Sequence, residues 1–211
     1  MAQKLGEISK PKVSDYAEKR KLFCLPLLPD IKGIELPENL KKGFEQFWNQ
    51  ATLQIEDLER TAKISYIFYE SITQEEKQGL EMIKNINKQS HKLVKEKIKQ
   101  GAKLVTIENP ETFNEFLDWS ICLSMIGRSP KVFTQVLGFY NTAAKQRLEE
   151  IAKKIDKTLA PKESGLLIMT DENRMQLQSN LSSDIQVFLI HPPAFNDIQK
   201  MLRDLSRSIK K

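Results

Sequence analysis

The chain has 211 residues, of which 40% are hydrophobic and 29% charged, and its formal net charge is +5. This length and composition suit a globular domain with a real core, and they exclude a long disordered or low-complexity chain. No window approaches the roughly 18 apolar residues of a membrane span, and the N-terminus lacks the apolar run of a secretion signal. Cys24 and Cys122 do not suggest a disulfide framework, so we expect a protein of the reducing cytoplasm.

Residues 1–36 are expected to form an extended N-terminal arm. Residues 1–20 are polar, and the stretch LFCLPLLPDIKGIELP that follows is apolar but carries three prolines. Prolines at this density prevent a helix, because each removes a backbone donor and restricts the residue before it. We therefore expect Phe23, Cys24 and the neighbouring leucines to be buried against the body of the protein.

Residues 37–160 are predicted to form a body of four helices. Apolar residues recur at three- and four-residue steps from Leu40 to Tyr69, which predicts a first helix of about eight turns. A second helix is predicted to begin at a capping box formed by Thr73 and Glu76 and to end at Gly101.

The third and fourth helices each open with a cap residue followed by proline, Asn109–Pro110 and Ser129–Pro130. The fourth is predicted to run to about residue 159, and Cys122 of the third is expected on its buried side. The segment KLVTI, residues 103–107, fits either a short strand or a buried connection.

Residues 161–211 are predicted to form a small β-hairpin and helix that dock on the fourth helix. GLLIM, RMQLQ and DIQVFLI have the apolar runs or the alternation of strands. A last amphipathic helix follows from about residue 193. The predicted fold class is therefore mainly α, a four-helix body with a small C-terminal β-hairpin plus helix.

His191 is the one weak candidate for a catalytic residue. It stands between the last predicted strand and the Pro192–Pro193 pair, where a following helix start could offer free amides to an anion. The alternative is a polar residue that fills a corner between strand and helix, because no nucleophile is adjacent in the sequence.

Two lines of basic residues are candidate nucleic-acid-binding surfaces. Lysines follow three- and four-residue steps along the second predicted helix, and a similar line runs along the last one. The alternative is that both lines are ordinary solvated helix faces, because no aromatic residues interleave with the lysines to stack on bases. The first ridge is Lys84, Lys88, Lys92, Lys95 and Lys99, and the second ridge is Lys200, Arg203 and Arg207, continued by Lys210 and Lys211.

No metal site and no cofactor are predicted. His91 and His191 are the only histidines and lie in unrelated contexts, and no Cys-x-x-Cys or Glu-x-x-His pattern occurs. The glycine-rich nucleotide-binding loops are absent as well.

The tail ESGLLIMTDENRMQLQSNLSSDIQVFLIHPPAFNDIQKMLRDL, together with DWSICL and RSPKVF, resembles an uncharacterised prokaryotic protein family. The resemblance covers residues 18–205. It implies an extended N-terminal arm like KRKLFCLPLL, a helical body and a similar Pro-Pro corner, and it implies no activity, cofactor or catalytic residue.

The function that these patterns favour is that of a non-enzymatic cytoplasmic interaction or regulatory protein. Its long amphipathic helices suggest a protein partner or a homo-oligomer. Two alternatives stay open: nucleic-acid binding by the two basic ridges, and an enzyme centred on His191.

Overall fold

In the computed structural model, the described residues are 19–28, 30, 31, 33 and 35–209. They form five strands and seven helices. In chain order these are β1 (Arg20–Pro26), α1 (Glu38–Glu59), β2 (Ile64–Tyr69), α2 (Glu76–Ile86), α3 (Lys88–Lys99), β3 (Lys103–Thr106), α4 (Pro110–Met125), α5 (Pro130–Thr158), β4 (Ser164–Met169), α6 (Asp171–Gln178), β5 (Ile185–Leu189) and α7 (Ala194–Ile209).

The five strands form one parallel sheet in the order β3-β2-β4-β1-β5. Phe23 of β1 pairs with Leu166 of β4 on one side and with Phe188 of β5 on the other. All six residues of the central strand β4 are buried. This burial on both faces explains the run SGLLIM, because strands of parallel sheets are covered by helices on each side.

Two hydrophobic cores cover the two faces of the sheet. Successive side chains of a strand point to opposite faces, so Leu166 and Ile168 enter one core while Leu167 and Met169 enter the other. Helices α1, α2, α3 and α7 close the first core, and α5 and α6 close the second. The architecture is a three-layer α/β/α sandwich.

The predicted fold class is therefore wrong. The strands pair in parallel across the whole chain instead of forming a local hairpin, and strands from residues 1–36, 37–160 and 161–211 share one sheet. Parallel neighbours need long crossover connections, and here the helices supply them.

The first predicted helix is wrong beyond Glu59. Residues 64–69, ISYIFY, form β2. Their apolar positions continue the three- and four-residue steps of α1, but they are mostly β-branched or aromatic, which favours a strand. A short, mostly apolar strand cannot be distinguished from a buried helical turn by its periodicity.

Two shorter segments also differ from the prediction. Residues 20–26 form β1, an interior strand that lies between β4 and β5. The apolar part of the predicted arm therefore lies inside the sheet. Residues 174–178, predicted as a strand, lie in helix α6. Residues 1–18 of the predicted arm lie outside the described residues.

The second predicted helix is divided at Asn87. Its backbone is extended (φ −155°, ψ 121°), and its side chain accepts from Ser90 N at 2.7 Å while donating to Leu28 O at 2.9 Å. The predicted capping box is also wrong, because α2 begins at Glu76 with Glu75 as its cap residue and no side-chain cap bond. The hydrogen bonds of the Asn87 side chain make a polar break between α2 and α3, which the apolar period of the sequence did not indicate.

Several local signals are confirmed. Asn109 and Ser129 cap α4 and α5 by accepting from Glu111 N and Val132 N, and a proline follows each cap. Gly101 ends α3 with a φ of 104°. Residues 103–106 form strand β3, one of the two alternatives for KLVTI. Strand β5 and helix α7 lie where they were predicted.

No helix among the described residues is both long and apolar enough to cross a membrane.

Candidate functional site

The connections that leave the carboxyl edge of the sheet diverge at β2. The chain leaves β2 toward the face covered by α2, whereas it leaves β3 and β4 toward the face covered by α5 and α6. Adjacent parallel strands whose connections diverge in this way leave an opening, and α/β proteins commonly bind ligands there. Glu70, Glu108 and Thr170 lie just beyond β2, β3 and β4, respectively.

A buried ionic cluster lies at this edge of the sheet. Arg147 of α5 donates from Nε to Glu108 Oε2 at 2.9 Å and from Nη2 to Glu108 Oε1 and to Glu70 Oε1, the last at 3.1 Å. The side chains of Arg147 and Glu70 are each only 3% exposed, and that of Glu108 is 0% exposed. Burial by itself would lower the pKa of Arg147, but its bonds to Glu108 and the charge of Glu70 outweigh burial and raise it.

The remaining carboxylate bonds tie the cluster to three strand ends. Glu70 accepts from Thr170 N at 2.7 Å and from the amide of Asn173, and Glu108 accepts from Ser71 N at 2.9 Å. Ser71, which donates this last bond, has the unusual φ of 67°. Every carboxylate oxygen accepts at least one hydrogen bond, so the cluster anchors this edge of the sheet.

A cavity of about 590 Å³ lies beside the cluster, between α4, α5 and α6. This volume is within the range of small-molecule sites. Amide and hydroxyl groups dominate its polar lining, with one cation and one anion. The lining residues are Phe116, Tyr140, Asn141, Ala144, Lys145, Thr170, Glu172, Asn173 and Gln176.

Above the cavity, α4 and the first half of α5 form a helical hairpin that extends beyond the sheet. Between Phe113 and Ala143 every side chain is at least partly exposed. Helix α5 has 29 residues and is therefore about 43 Å long. Only its second half, from Ala143 onward, packs on the sheet. We call residues 114–142 the α4–α5 hairpin.

The hairpin carries most of the large apolar side chains that the described residues expose. Among nine such residues, six are on the hairpin, and one of them, Met125, is 79% exposed. The other three, Leu53, Met175 and Leu189, are scattered over the body. The six hairpin residues are Leu117, Ile121, Met125, Val132, Phe133 and Phe139.

Aromatic contacts hold the two helices of the hairpin together. Trp119 stacks on Phe139 with ring centres 4.7 Å apart, and Phe116 lies 5.3 Å from Tyr140. At the base, Phe116 also lies under the guanidinium of Arg147, at 4.8 Å from its ring centre. Phe139 stays 53% exposed despite its stacking on Trp119, so the hairpin's own contacts do not cover its apolar surface.

His191 is exposed at the carboxyl end of β5. Its Nε2 lies 3.3 Å from Asn196 Oδ1, and its ring meets Phe195 edge-on. Strands β1 and β4 separate β5 from β2, which puts His191 about 14 Å from the Glu70 end of the sheet at the usual strand spacing. His191 and the ionic cluster are thus not brought together.

The basic ridges lie on helices of one layer. Lys84 is on α2, the other four residues of the first ridge are on α3, and the second ridge is on α7; all eight side chains are exposed. Helix α1 lies between α3 and α7 and exposes Glu45, Glu56 and Asp57. Lys210 and Lys211 lie outside the described residues.

The two cysteines differ in their surroundings. Cys24 is buried in the second core, as predicted, and burial raises the pKa of its thiol to about 12. Cys122 was expected to be buried but is exposed on α4, because the apolar side of α4 at this point faces solvent. Within the described part of the chain, no group of three or more His, Cys, Asp or Glu side chains could hold a metal ion.

The sequence patterns do not indicate that Glu70, Glu108 and Arg147 form a group. The available signal was an acidic residue directly after each of two apolar segments, in YIFYE and VTIE. The first segment continues the apolar period of the first predicted helix, so nothing in it indicates that Glu70 follows the end of a strand.

Comparisons with protein-family models, curated proteins and solved structures found no match for this chain. The resemblance to an uncharacterised prokaryotic family stays a prediction.

Proposed function

We propose that this chain is a self-associating, non-enzymatic interaction protein whose α4–α5 hairpin packs against the same hairpin of a second copy. The observation that supports it is the concentration of exposed apolar residues on a hairpin that touches little else. Helices with apolar residues on several sides are normally buried. Large exposed apolar patches on soluble proteins commonly mark interaction sites.

A second copy suits this surface in shape and size. Leu117, Ile121 and Met125 follow four-residue steps and form one outward stripe on α4. Two helical hairpins with such stripes pack ridges into grooves as a four-helix bundle. Residues 114–142 supply about the 20–30 residues a side that a standard interface uses. A twofold pair uses the same patch on both copies, so neither stripe is left exposed.

The compartment we propose is the cytoplasm. The two cysteines are unpaired, and a reducing compartment would keep them so.

The test compares two charge insertions at equally exposed apolar positions. Ile121 is 57% exposed on the hairpin, and Leu53 is 62% exposed on α1. In sedimentation equilibrium we expect the wild type to dimerise, Ile121→Glu to dissociate at least about tenfold more readily, and Leu53→Glu to behave as the wild type.

Two results would contradict the proposal. One is a wild-type chain that sediments as a monomer at concentrations up to about 1 mM. The other is an equal loss of association in both variants, which would point to a general effect of added charge.

Nucleic-acid binding is the second candidate, favoured by the exposure of the eight ridge residues that the structure describes. It predicts an affinity for duplex or single-stranded DNA that falls steeply with salt. Lys92→Gln/Lys95→Gln should then weaken binding and reduce the salt slope by about two, whereas the control Lys153→Gln/Lys154→Gln on α5 should not. Equal effects of the two pairs, or binding insensitive to salt, would eliminate this candidate.

A further inference from the structure

Charge is segregated along the α4–α5 hairpin. At its base, the exposed residues Glu115 and Asp118 of α4 are acidic. At its tip, the exposed residues Arg128 and Lys131 are basic. The apolar residues Ile121 and Met125 lie between the two groups along α4.

The acidic character of the base extends to α6. Glu172 is exposed and lines the cavity against which the base of the hairpin stands. The cation of that cavity, Lys145, is directed to a neighbour on its own helix, since its Nζ lies 3.9 Å from Glu149 Oε1.

We infer that the two hairpins of a dimer lie antiparallel, with the basic tip of each copy beside the acidic base of the other. This inference rests on the proposed self-association. In the antiparallel arrangement Arg128 and Lys131 approach Glu115 and Asp118 of the second copy, and both ends of the interface pair opposite charges. In a parallel arrangement acids would face acids and bases would face bases, which disfavours association.

The arrangement also accounts for the position of the apolar stripe. Residues 121 and 122 are midway between Glu115 and Arg128, so they lie near the twofold axis, where an interface is most completely desolvated. The charged groups lie at the rim on either side and set the orientation of the two copies.

A complete charge exchange tests the orientation. The variant Glu115→Lys/Asp118→Lys/Arg128→Glu/Lys131→Glu has a basic base and an acidic tip. In an antiparallel dimer it pairs with itself as well as the wild type does, but it is repelled by the wild type at both ends. We expect two homodimers with similar dissociation constants and at least about tenfold weaker mixed association at low salt.

Variants in which only the acidic pair or only the basic pair is reversed supply the matched comparison with the complete exchange. Glu115→Lys/Asp118→Lys alone and Arg128→Glu/Lys131→Glu alone should each self-associate more weakly than the wild type. Raising the salt concentration should reduce all of these differences, because rim charges are screened. Circular dichroism of each variant checks that α4 and α5 keep their helices when these charges are reversed.

The outcomes separate the orientation from the self-association itself. If the full exchange variant prefers the wild type to itself, the hairpins are parallel. If it mixes freely while Ile121→Glu still weakens dimerisation, the charges do not set the orientation of the two copies and the antiparallel inference is wrong. If the wild type is a monomer, the proposed function and this inference both fail.

Discussion

Arg147 of α5 and Glu108 beyond β3 form a two-point ion pair closed to solvent. Arg147 Nε donates to Glu108 Oε2 at 2.9 Å while Nη2 donates to the other carboxylate oxygen, and neither side chain is more than 3% exposed. Two parallel hydrogen bonds between a guanidinium and a carboxylate fix the orientation of the two side chains as well as their positions. The pair therefore holds α5 at the point where it leaves the sheet and enters the hairpin.

Replacing Arg147 by methionine should destabilise the protein strongly. Glu70 and Glu108 would stay buried without their cation, and breaking a buried pair in this way costs about 3–5 kcal/mol of unfolding free energy. The measurement is urea unfolding followed by circular dichroism. Arg60→Met is the control, because Arg60 is 80% exposed in its pair with Asp57 and should contribute about 0–1 kcal/mol.

Removing both carboxylate charges as well should restore part of this loss. In Arg147→Met/Glu70→Gln/Glu108→Gln no ionised group is left unpaired, so the triple variant should be more stable than Arg147→Met. Equal stability of the two would mean that unpaired charge is not the cause.

A second ionic cluster should make stability depend on acid pH. Arg20 donates to Asp184 at 2.6 and 2.7 Å and to Asp156 at 2.7 Å. The bond to Arg20 lowers the pKa of Asp184. The pKa of Asp156 is lowered mainly by the hydrogen bond from the Ser182 hydroxyl and next by the bond from Arg20. A carboxyl group whose pKa is lowered in the folded state stabilises the fold at pH values above its unfolded-state pKa of about 3.9. This stabilisation is lost as the pH falls through the folded-state pKa.

Arg20→Met should therefore reduce the unfolding free energy at pH 7 and flatten its decline below about pH 4. Ser182→Ala should have a smaller effect of the same sign, because it removes a bond to Asp156 only. Urea unfolding at several pH values measures both. An unchanged acid dependence in Arg20→Met would contradict the assignment.

The two thiols should react at very different rates. Cys24 is 2% exposed and its pKa is raised to about 12, so its reactive thiolate is scarce, whereas Cys122 is exposed. Ellman's reagent should modify one thiol of the native chain quickly and both after denaturation. Cys122→Ser should abolish the fast phase, and a fast phase that persists would show that Cys24 is accessible.

Gly165 should tolerate no side chain. A Cβ there would stand 2.6 Å from Cε2 of Phe68, whose ring is fully buried. Gly165→Ala should therefore lower the unfolding free energy by about 1–3 kcal/mol, the usual cost of overpacking a core.

Gly138→Ala is the matched control. Its Cβ would meet nothing within 4 Å, and alanine in helix α5 should raise stability by about 0.5–1 kcal/mol. Both variants are measured by thermal unfolding at a protein concentration where the chain is monomeric. A neutral Gly165→Ala would show that Phe68 can move aside.

The sequence predicted the elements whose signals are local. The cap-then-proline pairs at 109–110 and 129–130 begin α4 and α5, and α7 and β5 also lie where their patterns placed them. A cap bond or an apolar period acts within a few residues, so it can be identified without knowing the partner element.

The candidate site was not predictable in the same way. Glu70, Glu108 and Arg147 are 38 and 39 residues apart along the chain, and each alone resembles an ordinary surface charge. They meet because β2 and β3 end at the same edge of the sheet and α5 crosses behind them.

The amino-acid sequence by itself determined the helices of the hairpin, their caps and the apolar stripe from Leu117 to Met125, because these depend on spacing along one helix. Only the tertiary structure decided that residues 20–26 and 64–69 are interior strands and that the stripe stays uncovered. Parallel pairing joins segments far apart in the chain, and whether a side chain is buried depends on which distant element packs against it.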